Sequence, residues 1–264
     1  MKKTVVLWTL AVALTLASAA WQRRTGPTYP VRGAVTLAGA RIPVELERSH
    51  GGETDQPVRI VAGDPEVTGE VAWRRFPGSD PWSVVPMVRD GETLEAFLPH
   101  QPPAGKLEYQ IRLARAGERA VFPERPAVTR FKGGVSAGVL IPHIVAMFVG
   151  MLLSTAAGLG ALLTGSVSRR LVHGTLTLIA IGGLVLGPLV QKAAFDAYWT
   201  GVPFGYDLTD NKTLIAAVAW GWAVWRVRGQ RGGRWEVVAA AIVTLLVFAI
   251  PHSTWGSQLN WDDV

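Results

Sequence analysis

Cysteine is absent from this chain of 264 residues. That excludes disulfides, thiolate metal sites and cysteine nucleophiles, so an exported domain here must hold together by core packing alone. Catalytic fingerprints are missing as well: no G-x-S-x-G, P-loop, H-E-x-x-H or Rossmann glycine pattern occurs. Ser49 beside His50 is adjacency in sequence, whereas a catalytic triad is assembled by geometry. Charged residues make up only 17% of the chain, against 49% hydrophobic residues and 11 Trp. That balance is too apolar for an ordinary soluble domain and suits a chain partly embedded in a membrane.

What charge there is carries a pattern. The formal net charge is +6. Lys2, Lys3, Arg169, Arg170, Arg226, Arg228, Arg231 and Arg234 all flank apolar runs, where only Glu236 opposes them. This is the positive-inside signature, so the basic excess reports topology, and nucleic acid is not an expected partner. The expected partners are the lipid bilayer and an envelope protein or a second copy of the chain.

Residues 1–21, MKKTVVLWTLAVALTLASAAW, read as a signal anchor or a cleavable signal peptide. Ala17-Ser18-Ala19 offers a cleavage pattern. The run from Thr4 to Trp21 is long enough to span, and Arg23 and Arg24 follow it directly, which favours the anchor. In both cases the next segment is exported.

Residues 22–134 form an expected extracytoplasmic β-sandwich. Short alternating stretches of β-formers recur at 31–37, 69–76 and 107–113, punctuated by Asp90-Gly91 and Ala116-Gly117. The segment LEAFLPHQPPAGKLEYQIRLARAGE, residues 94–118, resembles the later strands of fibronectin-type-III and other immunoglobulin-like domains. The resemblance implies a strand ending in a leucine-proline corner, an inward tyrosine and a turn. It implies no activity, because this fold mostly serves as a spacer or binding module.

Residues 135–264 read as a four-helix transmembrane domain, with spans at about 141–163, 171–191, 209–227 and 235–250. Pro142 suits the first turn of a helix and Pro251 stops the last one. The last two spans are near the lower length limit. With Arg169-Arg170 and the Arg226–Arg234 cluster inside, the sandwich, the loop from Gln191 to Asn211 and the tail from Ser253 fall outside. Small residues at Gly150, Ser154 and Gly158, and at Gly183 and Gly187, mark close helix contacts.

The candidate site residues follow from a repeat. Ile141-Pro142-His143 opens the first span and Ile250-Pro251-His252 closes the last, which sets both histidines at the outer rim. Imidazole suits copper, zinc or haem iron, and Met147, one turn below His143, would suit Cu(I) or a haem axial position. Asp207 or Asp210 would complete a nitrogen–oxygen site for zinc or iron. The plainer reading makes Asp207 or Thr209 a helix cap, with Asp210 facing the helix dipole, and the loop aromatics an interfacial belt. His173 stands alone at the inner face, which disfavours two stacked haems and leaves haem b, copper or zinc as the cofactors to consider, with none the simpler expectation. No ionisable residue other than histidine is expected within the apolar runs, which leaves a transporter little to couple to.

Five stretches carry a wider resemblance: WRRFPGSDPW, LPHQPPAGKLEY, IPHIVAMF, VPFGYDLTDNKT and IPHSTWGS. With the order of export segment, sandwich and helices, the chain is similar to a family of uncharacterised bacterial inner-membrane proteins. The resemblance implies a multi-pass location in the bacterial inner membrane, with the β domain and the C-terminus on the periplasmic side. The expected function is a non-enzymatic envelope binding or assembly component. The alternative is a metal- or haem-binding redox protein built on His143 and His252.

Overall fold

The computed structural model describes residues 2–228 and 232–252, with Thr254, Gly256, Gln258, Leu259 and Trp261. An N-terminal helix, a β-sheet domain and a set of helices follow one another along the chain. They form two compact units: residues 1–27 with 135–257, and residues 28–134 with 258–264.

In the β unit, β1 (Val31–Leu37) and β2 (Ala40–Leu46) pair as a hairpin turned by Ala38 and Gly39, both at positive φ. The strands β3 (Ser49–Gly51), β4 (Gln56–Val61), β5 (Thr68–Arg75), β6 (Ser83–Pro86), β7 (Val88–Asp90), β8 (Thr93–Leu98), β9 (Lys106–Arg115) and β10 (Glu118–Lys132) make two further sheets. Their orders are β3-β10-β9-β5-β6 and β4-β8-β7. All pairings are antiparallel except β3 on β10, which is parallel.

Alternation explains these strands. Leu107, Tyr109, Ile111 and Leu113 of β9 all point inward and are buried, as are Leu94, Ala96 and Leu98 of β8 and Val58 and Ile60 of β4. They meet Ile42, Val44 and Leu46 of β2 in one core, which does the work a disulfide would do elsewhere. The β9–β10 turn is Ala116-Gly117, with φ of 49° and 82°, the left-handed pair that a tight hairpin needs.

The core holds a closed polar network. The Tyr109 hydroxyl donates to the Glu47 carbonyl at 2.6 Å, and the buried Thr129 hydroxyl donates to Gln56 Oε1 at 2.7 Å. Burial, with the Glu47 carboxylate adding to it, pushes the Tyr109 hydroxyl up from its ordinary 10.0. Burial, followed by the nearby Arg130 guanidinium, pushes the Lys106 ammonium down from its ordinary 10.5 to about 8.

These two shifts predict a turnover in stability with pH. Above pH 8 and up to the ordinary lysine value, the unfolded chain holds its Lys106 proton while the folded chain releases it, so stability rises with pH. Above the ordinary tyrosine value of 10.0, the unfolded chain loses the Tyr109 proton first, so stability falls. Thermal unfolding of the purified chain in detergent should show a climb from pH 8 and a descent beyond pH 10. Lys106→Met should shrink the climb and Tyr109→Phe the descent; a wild-type profile flat from pH 8 to 10 would refute the assignment.

In the helical unit, α1 is Lys2–Thr25, α2 Ala137–Thr164, α3 Arg169–Ile179, α4 Gly187–Phe195, α5 Leu208–Arg228 and α6 Arg234–Ala249. A π-helical stretch, Ala180–Leu186, joins α3 to α4 without a break. Pro188 sits at the start of α4, and the wider π turn accommodates the N–H it lacks. Among the described residues, three helices are long and apolar enough to cross a membrane: α1, α2 and the continuous Arg169–Phe195. The helix α6, at 16 residues, is about 24 Å long, less than a hydrocarbon core of about 30 Å.

The helix α2 begins at Ala137, capped by Ser136 Oγ, so Pro142 lies in its second turn and not in the first. The small residues do set close contacts. A Cβ added to Gly158 would stand only 2.4 Å from Ala241 Cβ of α6, and one added to Gly183 2.3 Å from Thr213 Cγ2 of α5. Bulk at these positions would force the backbones apart.

Candidate functional site

The densest polar construction lies where the α4–α5 loop, the head of α5 and the end of α6 converge. Asp210, in the first turn of α5, is 6% exposed. Its Oδ2 accepts from the Thr200 amide at 2.6 Å, the Gly201 amide at 3.0 Å and Gln191 Nε2 at 3.1 Å. The neighbouring Asn211 Oδ1 accepts from the Val202 amide at 2.8 Å. A Cβ on Gly201 would fall 2.6 Å from Asp210 Cβ, so glycine is what lets the loop reach the carboxylate. Asp207 takes the cap role, its Oδ1 accepting from the Thr209 amide at 2.7 Å. Asp210 stands in the first turn of α5 as expected, and it also grips the loop behind it through backbone amides, strong partners for a carboxylate. The clasped loop leaves Phe204 and Tyr206 exposed, at 82% and 90%.

Lys212 departs from expectation. The apolar runs were expected to hold no ionisable group besides histidine, yet Lys212 is 1% exposed. Its Nζ donates to the Ile250 carbonyl at 2.7 Å and to the Pro251 carbonyl at 3.3 Å, closing the end of α6. From α1, Gln22 Nε2 donates to the Phe248 carbonyl at 2.8 Å. The apolar part of α5 starts after Thr213, but the helix starts at Leu208, so its first turn carries charges into the folded unit. The second Ile-Pro-His is thus, in its first two residues, an acceptor surface for Lys212.

The first Ile-Pro-His does something different. His143 Nδ1 lies 2.8 Å from the Gly182 carbonyl, which makes that nitrogen the protonated donor. Gly182 also accepts the Gly187 amide five residues on, so the π turn and the histidine share one oxygen. Met147 joins them: its Sδ lies 3.0 Å from where a Gly182 Cβ would be. The structure therefore brings His143 and Met147 together over Gly182. The helices α2 and α6 do pack against each other, but the His143 ring turns to the π stretch. His252 follows Pro251 beyond the end of α6, and Asp207 and Asp210 are engaged with amides. Among the described residues, no three His, Asp or Glu side chains gather in a metal-holding group. His173 Nδ1 pairs locally with the Arg169 carbonyl at 2.8 Å.

The β unit holds a second candidate, a cleft of about 530 Å³ lined by Arg75, Pro77, Gly78, Ser79, Asp80, Gln258, Leu259 and Trp261. Arg75 and Asp80 face each other at 3.8 Å. None of these residues was singled out from the sequence, and the one available signal was the isolated Trp261 in a polar tail. His50 and His100 both pack edge-on against Phe131, at 5.7 and 6.0 Å between ring centres.

No protein-family model matches the chain, and no curated protein is found to be similar to it.

Proposed function

We propose that this chain is a multi-pass bacterial inner-membrane protein that displays an immunoglobulin-like β unit on the periplasmic side and acts as a non-enzymatic envelope binding or assembly component. The observation that carries the reading is the strand order. A sheet β3-β10-β9-β5-β6 with its first strand parallel to β10, sharing one core with β4-β8-β7 and the β1-β2 hairpin, supports reading the unit as an immunoglobulin-like or fibronectin-type-III-like sandwich. That fold hosts binding far more than catalysis, and function is carried by its surface.

The helices support a membrane location. Among the described residues three are long and apolar enough to cross a bilayer, and α5 and α6 complete a four-helix membrane domain behind the anchor α1 in this reading. The basic residues at Lys2-Lys3, Arg169-Arg170 and Arg226–Arg234 support an inside placement for the ends that bear them. Polar groups at the head of α5 are spent on holding the loop and the end of α6, which favours scaffold over chemistry.

A photo-crosslinking residue at Val88, which is 72% exposed on β7, tests the reading in cells. A discrete adduct is expected, and it should vanish when residues 28–134 are deleted from a chain that still reaches the membrane. If neither Val88 nor the exposed Phe97 yields an adduct, and the deletion leaves cells unaltered, the binding role fails.

A further inference from the structure

The chain's own tail is the least expected member of the β unit. Gln258, Leu259 and Trp261 follow the last helix in sequence, yet they group with the strands. Different kinds of contact hold them. The Leu259 amide donates to the Ala104 carbonyl at 3.4 Å, and Lys106 Nζ donates to Gln258 Oε1 at 2.9 Å. The Trp261 indole N–H donates to the Phe76 carbonyl at 3.2 Å. The Arg75 guanidinium stands 5.1 Å from the centre of the same indole. The ring edge reaches Gly105, where an added Cβ would lie 3.3 Å from Trp261 Cη2. An indole engaged by its N–H, its face and its edge is how a tryptophan anchors a peptide in a pocket.

We propose that the groove between Phe76–Asp80 and Ala104–Lys106 is a peptide-docking site whose occupant is the chain's own C-terminal segment, a strap anchored by Trp261. This rests on the reading of the β unit as a binding module and names one of its surfaces. The strap has two consequences. It builds one wall of the cleft whose other wall is Arg75 to Asp80, so whatever enters that cleft meets both. It also sets the C-terminus on the same side of the membrane as the β unit, so the helices between Gly134 and Gln258 cross an even number of times.

The absence of cysteine makes the test clean. The full chain carries Lys106→Cys with Gln258→Cys and a protease site inserted between Arg228 and Gly232, and is treated in membranes with a short bis-maleimide. After cleavage the two fragments should remain joined at the mass of a single chain. Adding Trp261→Ala should lower the joined fraction about tenfold, since a tryptophan anchor held by its N–H, face and edge dominates such contacts. Trp235→Ala, at the start of α6, should leave it unchanged. Two results overturn the proposal: no joining, or joining only between chains when singly substituted, differently tagged copies are mixed. Either result alongside a persisting Val88 adduct would leave the binding module standing and remove only the strap.

Discussion

Asp210→Ala is expected to free the loop between α4 and α5. One carboxylate oxygen satisfies two backbone amides and an amide side chain in a site that is nearly water-free. Hydrogen bonds to a charged acceptor are each worth about 1.5–3 kcal/mol, and losing the acceptor strands the donors, so about 3–5 kcal/mol should go. The readout is local. The Thr200 and Gly201 amides should exchange slowly in the wild-type chain and about a hundredfold faster in the variant, as local opening replaces a fixed clasp. Asn211→Ala should expose only the Val202 amide, whose N–H donates to Asn211 Oδ1. Gly201→Ala offers an independent approach, because its Cβ would collide with Asp210 and push the same loop off. Unchanged exchange across 196–207 in Asp210→Ala would show that the loop is held by something other than this carboxylate.

Most of the architecture was legible because periodicity and punctuation are local properties. Leu107, Tyr109, Ile111 and Leu113 alternate over a whole strand, and Ala116-Gly117 is a turn in sequence before it is one in space. The four apolar stretches after residue 135 are visible by composition alone, and the small-residue spacings point correctly at close contacts, as Gly158 and Gly183 show. What escaped depends on partners distant in the chain. The π stretch is prompted by Pro188, but His143, about forty positions earlier, meets it at the Gly182 carbonyl. The burial of Lys212 arises because α5 begins six residues before its apolar part and meets the end of α6 there. Trp261 has no periodic company, so nothing in its neighbourhood announces the groove it fills. The twin Ile-Pro-His suggested one shared site, yet the two copies serve different helices: His143 turns to a carbonyl of the π stretch, and Ile250-Pro251 presents carbonyls to a lysine.

Lys212→Met is expected to undo the end of α6. The substitution keeps most of the aliphatic stem, so packing changes little, and removes the donors that meet the Ile250 and Pro251 carbonyls. The last carbonyls of a helix have no partners within it, and here Pro251 prevents another turn from forming. Without the ammonium, the Ile250 carbonyl keeps only the long Gln22 contact at 3.5 Å and the Pro251 carbonyl keeps the Thr254 hydroxyl at 3.0 Å, so a loss of about 1–3 kcal/mol should appear in unfolding of the chain in detergent. Gln22 reaches the neighbouring Phe248 carbonyl from α1, so Gln22→Leu and Lys212→Met should be non-additive, with a coupling of about 0.5–1 kcal/mol. Lys212→Arg should not restore stability, because a fully buried site shaped to an ammonium has no room for a planar fork. The alternative for an ionisable group among membrane helices is a role in moving charge. The two readings separate in this variant. A Lys212→Met chain that loses stability shows the ammonium acting as a structural cap. A chain as stable as the wild type would mean that α6 closes without it, and the buried charge would then have to be explained by function.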